Sequence, residues 1–192
     1  MMPAHYAVSD AAIVLVTIFA GNALWRSGRH LSAFAMACFG VAAFIGVVRF
    51  GAGLQDQLAA LHGGASQLLG LAGAVAILSG YLFRPADRHI ISIIALILCA
   101  ATAIFVFAQP LLGPVFLLAM VIMLFASVAR PGPLGRSWLI PAGCAVMLAN
   151  TLFIRRAAWL DEAAAWHVYH MVIALALAAL AKGLMSTERD AH

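Results

Sequence analysis

Charge is what this sequence has least of. Lys and Arg number 11 and Asp and Glu seven among 192 residues, 9% in all, against roughly 25% in a soluble domain. Such a surface cannot be solvated as a globular protein's is, and an integral membrane protein is expected. Cysteine is also scarce: Cys38, Cys99 and Cys144 all fall inside apolar runs. None forms a CxxC or a Cys/His pair of zinc-finger spacing, so a disulfide framework is not expected. The chain lacks a GxSxG elbow, a phosphate-cradling glycine loop and an HExxH helix, which removes the common signatures of serine hydrolases, nucleotide binders and zinc proteases. A charged segment followed by a cleavage site is missing near the start, so the first apolar run is expected to remain as a span.

What is abundant is hydrophobic length. Apolar residues make up 65% of the chain and the mean hydropathy is +1.04. A membrane helix needs about 20 mainly apolar residues to cross roughly 30 Å of hydrocarbon. Seven runs qualify, at 10–26, 31–50, 63–83, 89–108, 111–129, 137–154 and 164–183, each ended by charge, glycine or proline. The fourth and fifth are divided by "AQPLLGP", whose prolines stop a helix and suit a turn. The expectation is an all-α polytopic membrane protein, a single seven-transmembrane-helix bundle over residues 1–192, of the bacterial inner (cytoplasmic) membrane. Gly and Ala crowd "GLAGAVAILSG" (70–80) and "AFAMACFGVAAFIG" (33–46), as expected where helix backbones pack closely.

Orientation follows from the arginines. With these spans, Arg26, Arg29, Arg84, Arg88, Arg130, Arg136, Lys182 and Arg189 share one side, leaving Arg49, Arg155 and Arg156 on the other. The positive-inside rule then predicts the amino terminus outside and the carboxyl terminus in the cytoplasm. The same placement accounts for the formal charge of +4 without a nucleic-acid partner, because the basic residues flank apolar helices. Membrane lipids, a second copy of the chain or a partner membrane protein are the expected neighbours.

Ionisable groups inside spans are costly, which makes their positions the best pointer to function. Threading the spans gathers His5, Asp10, Arg49, Asp56, His62, Asn150, Asp161, Glu162, His167, Tyr169 and His170 at the outer ends. His167 and His170 are three apart on one helix, about 60° around its axis, so their rings can converge on a common point. Asp161 or Glu162 can cap that helix. Neutral imidazoles are common metal ligands, and His62 at the same depth is the natural third ligand for a zinc ion. Asp10 or Asp56 can then take a proton from bound water, and Arg49, with Tyr169 nearby, can hold a headgroup. Two other readings stay open: an interfacial belt of Trp166, Tyr169 and the histidines, and a b-type haem with axial histidines from His62 and His170. Lys182, near the end of its helix, reads as a snorkelling anchor.

Seven spans, an outward amino terminus and the histidine pair of "AWHVYH" (165–170) resemble the superfamily of membrane hydrolases that includes alkaline ceramidases and the progestin/adiponectin receptors. That resemblance implies zinc held by one histidine from the helix 2 to 3 region and two from helix 7, hence His62, His167 and His170. It also implies bound water directed at a lipid amide or related bond. The family's helix 7 pattern is HxxxH where this chain has "HVYH", and its helix 2 histidine falls near Arg49. The leading expectation is a metal-dependent hydrolase of a lipid or lipid-like amide or ester at the outer leaflet. A non-enzymatic membrane subunit or lipid-binding sensor is the alternative.

Overall fold

The structure, a computed structural model, describes residues 4–83, 87–129, 137–154, 157 and 159–189. Among these residues it is entirely helical, with α1 (Tyr6–Arg26), α2 (His30–Gly51), α3 (Ala59–Leu82), α4 (Asp87–Phe107), α5 (Leu112–Ala129), α6 (Leu139–Leu152) and α7 (Glu162–Arg189). Six of the seven are long and apolar enough to cross a membrane. The exception is α6, whose 14 residues reach about 21 Å at 1.5 Å per residue, short of the expected 137–154 run. Of the arginines that set the expected orientation, Arg84, Arg130, Arg136, Arg155 and Arg156 lie outside the described residues.

Local chemistry sets the turns. α1 ends at Gly28, with φ of +71°, and the Arg29 amide returns to the Leu24 carbonyl at 2.9 Å. α2 ends the same way at Gly53 (φ +70°), with the Leu54 amide on the Arg49 carbonyl at 2.9 Å. Both are Schellman closures, which require a left-handed residue that glycine supplies without strain. Between α4 and α5 the chain breaks at Ala108 and makes a 3-10 turn over Gln109–Leu111, with Pro110 inside it. The fourth and fifth runs are therefore separate helices. α1 starts four residues earlier than the hydropathy suggests, which brings Ser9 and Asp10 into its first turns.

Helices α1, α2, α3, α5, α6 and α7 pack in a closed ring in that order, while α4 lies outside it, mainly against α3. The ring's interior is filled by Leu24, Met36, Leu71, Ile77, Met120, Met123, Met147, Leu177 and Leu180, all buried. Large apolar side chains also cover the outside, including Phe19, Ile91 (81% exposed) and Phe107 (87% exposed). Packing on both faces of the same helices suits a hydrocarbon solvent rather than water, and marks an integral membrane protein.

The small residues sit where backbones approach. A Cβ on Gly73 would stand 2.8 Å from Phe39 Cε2 and 3.2 Å from the Ala35 carbonyl oxygen across the α2–α3 contact. One on Gly143 would stand 2.8 Å from Leu180 Cγ, and one on Gly183 would stand 2.7 Å from Ile140 Cγ1 and 3.0 Å from its backbone nitrogen. Because a backbone atom cannot yield, Gly183→Ala is expected to destabilise the α6–α7 pair by about 1–3 kcal/mol. Gly63→Ala, which meets nothing within 4 Å, should leave stability unchanged or slightly raised. Thermal unfolding of the two variants in the same detergent checks the contrast.

Candidate functional site at the amino-terminal end of the bundle

The ring brings His5, Asp10, Arg49, His62, His167 and His170 to one end, the end at which α1, α3 and α7 begin and α2 finishes. They do not form one group there. One cluster is buried and centres on Asp10; the other is superficial and centres on His167.

In the buried cluster Asp10 has no exposed surface. Its Oδ1 stands 3.3 Å from His170 Nε2 on α7, an ion-pair distance, although neither carboxyl oxygen completes a hydrogen bond. Across from it, α2 presents Gly46. A Cβ there would collide with Asp10 Oδ2 and would stand 2.8 Å from Asp10 Cγ and 2.9 Å from His62 Nε2. The absent side chain of Gly46 thus leaves the space on the α2 backbone that the Asp10 carboxyl and the His62 ring both border. One turn on, Arg49 donates from Nε to the Gln55 carbonyl at 2.8 Å and lies with Nη1 3.3 Å from His62 Nδ1. Trp166 stacks on His170, its ring centroid 4.3 Å away, and meets Phe50 edge-on at 5.1 Å.

The donors and acceptors decide where the ring protons lie. A guanidinium has donors and no acceptor, so His62 Nδ1 accepts and the proton of neutral His62 is on Nε2. Conversely, His170 Nδ1 faces the Trp166 carbonyl oxygen at 2.8 Å, which can only accept, so His170 carries its proton on Nδ1. The bare Nε2 then faces a carboxyl oxygen. That contact is favourable with one proton between the two groups, as Asp10–OH to imidazole or as imidazolium to carboxylate, and unfavourable with none.

The superficial cluster joins α1 to α7. His5 Nδ1 lies 2.7 Å from His167 Nε2, and His167 Nδ1 lies 3.1 Å from Ser9 Oγ. Ser9 in turn donates to the Tyr6 carbonyl at 3.2 Å. The Tyr6 ring lies beneath, 5.6 Å from His167 and 5.3 Å from Trp166. It separates the two clusters.

The expected ligands are therefore divided. His170 faces Asp10 and His62 lies beside the same Gly46 position, whereas His167 turns to His5 and Ser9, so the two α7 histidines serve different neighbours instead of a common point. Among the described residues no three His, Cys, Asp or Glu side chains are arranged to hold a metal ion. His62 Nε2 is committed as a proton donor by the arginine behind it, which opposes its use as a zinc ligand. A bis-histidine haem on His62 and His170 would need the space that the Asp10 carboxyl and the Gly46 backbone occupy. Asp56 is exposed in the α2–α3 loop, where its carbonyl oxygen accepts from the Ala59 amide. Arg49 reaches His62 and Gln55 rather than either aspartate. Tyr169 lies against His170 at 5.2 Å, and its carbonyl accepts from Asn150 Nδ2 at 2.9 Å. Asp161 caps α7 through the Ala164 amide at 2.8 Å.

Sequence reasoning missed Gly46, Ser9, Tyr6 and the pairing of His5 with His167. Gly46 had one available signal: it precedes Arg49 by three, on the same helix face. Two outcomes test the geometry. Gly46→Ala should cost about 1–3 kcal/mol by overpacking, and much of that loss should vanish in Asp10→Ala/Gly46→Ala, read as a coupling energy from the four unfolding midpoints. In nitrogen NMR of labelled imidazoles at neutral pH, His62 should carry its proton on Nε2 and His170 should carry one on Nδ1. Comparison with known protein families, with curated proteins and with solved structures finds no match to this chain.

Proposed function

We propose that this protein is a proton-responsive membrane component, a sensor or regulatory subunit, whose working group is the Asp10–His170 pair at the outer-leaflet end of the bundle. The observation that carries the reading is a fully buried carboxyl 3.3 Å from a ring nitrogen whose own proton is committed elsewhere. Such a pair is bistable. With a shared proton it holds α1 against α7; without one, a carboxylate faces a lone pair across a site that water does not solvate, and the contact becomes repulsive. Arg49 supplies the fixed positive charge of the site, behind a neutral His62 ring. The outward orientation rests on the excess of Lys and Arg expected at the opposite end.

The leading sequence expectation, a zinc-dependent lipid amide or ester hydrolase, asks for His62, His167 and His170 on one ion, with Asp10 or Asp56 as base. Direct metal analysis separates the two. Purified full-length protein, not stripped of metal, is treated with dicyclohexylcarbodiimide, which adds to a protonated carboxyl in an apolar setting and rearranges to a stable N-acylurea.

The expected result is a single adduct on Asp10 that declines as pH is raised from about 5 to about 8 and is absent in Asp10→Asn. If the imidazole holds the proton instead, nitrogen NMR shows His170 protonated on both nitrogens. An unlabelled Asp10 together with a His170 protonated on Nδ1 alone across that range overturns the proposal. So does one equivalent of metal that is lost on His62→Ala or His170→Ala, and that result returns the site to metal chemistry.

A further inference from the structure

The superficial cluster has a property of its own. His5 Nδ1 and His167 Nε2 are 2.7 Å apart, which leaves room for one hydrogen between them and not for two. Ser9 spends its hydroxyl hydrogen on the Tyr6 carbonyl, so it accepts from His167 Nδ1, and in the neutral pair the bridging hydrogen comes from His5. Every hydrogen along the chain from His5 to His167 to Ser9 to Tyr6 has an acceptor. One added proton is tolerated, because an imidazolium on either side still donates to a neutral ring on the other. A second is not: both facing nitrogens then carry hydrogens, and two cations stand at hydrogen-bond distance.

We infer that His5 and His167 form a proton-released clasp, which fastens the start of α1 across the start of α7 and covers the buried Asp10 site while at least one of the two rings is neutral. Tyr6, the residue after His5, is the part of the roof that the clasp fixes. Its ring is buried between the clasp and the lower cluster, in contact with His5, His167, Trp166 and Phe50.

The charged and titratable groups around the clasp come from each element packed there. On the α1 side these are Tyr6 and Asp10; at the start of α7 they are Asp161, Glu162 and His170; and Arg49 from α2 and His62 from α3 lie beyond the Tyr6 and Phe50 rings. Asp161 and Glu162 act electrostatically on Tyr6, so positive charge arriving on the clasp is met by two acids on the α7 side. They do not relieve the clash of hydrogens that a second proton creates between the facing nitrogens. The clasp stands on its own geometry. What it uncovers is the proton-binding group only if the reading of Asp10 above holds.

The test uses full-length protein in lipid nanodiscs, with Cys38, Cys99 and Cys144 replaced and spin labels at Ala4→Cys and Val168→Cys, one on each side of the clasp. At about pH 8 a single short distance is expected. At about pH 5, on the acid side of imidazole titration, a longer population should grow severalfold. His5→Phe and His5→Gln, at an exposed position, should each abolish the pH response. An unchanged distance distribution in the parent protein overturns the inference, as does a response that persists in both His5 variants.

Labelling of Asp10 by a water-soluble carbodiimide is followed in the same samples. A rise at low pH that requires His5 supports the cover. A pH-dependent distance with Asp10 unlabelled by both the water-soluble and the lipid-soluble reagent supports the clasp while removing the buried-proton reading.

Discussion

A carboxyl group shut inside a helical bundle must be matched by a proton or a cation, and the amino-terminal end of this protein is arranged around that requirement. Asp10 sits in the first turns of α1 with α2 and α7 closed over it. Arg49, which acts on it electrostatically, spends its hydrogen bonds on the Gln55 carbonyl and on His62. What faces the carboxyl directly is an imidazole nitrogen whose ring already spends its own hydrogen on the Trp166 carbonyl. The other polar choices at this end follow from that one. Gly46 makes the space, the Arg49–His62 contact orients the second ring, and the rings of Tyr6, Phe50 and Trp166 exclude water.

The layout also explains why two histidines three residues apart on α7 have different work. On a helix they are separated by about 60° of rotation, and α1 is the neighbour of both. His170, one turn deeper, meets the Asp10 carboxyl, while His167 is level with Ser9 and His5. The aromatic layer between those depths turns what could be one polar pocket into two clusters. Each has a hydrogen-bond pattern that fixes its own proton count.

Much of the architecture was legible in the chain because hydrocarbon imposes length. Six of the seven runs read from hydropathy appear as helices that can cross a membrane, and the prolines of "AQPLLGP" do part α4 from α5. α6 falls short because apolar composition continues past the point where the helix ends, at Leu152. The gathering of Asp10, Arg49, His62, His167 and His170 at one end was also legible, since it needs only the alternation of spans. Their partners were not. Which neighbour a side chain meets depends on the rotation of each helix about its own axis, and the helices here are apolar nearly all round, so no hydrophobic stripe reports that rotation. The pairing of Arg49 with His62, rather than with Asp10 or Asp56, and the closeness of Gly46 to Asp10 are facts of rotation and depth.

The position of α4 has a consequence of a different kind. The ring passes from α3 directly to α5, and α4, though between them in sequence, lies outside with little of its surface covered by protein. Its attachment is owed to the bilayer more than to its neighbours. α4 therefore takes most of its contacts from whatever surrounds the bundle, and a change in those surroundings reaches this helix more directly than the ring that carries the polar site.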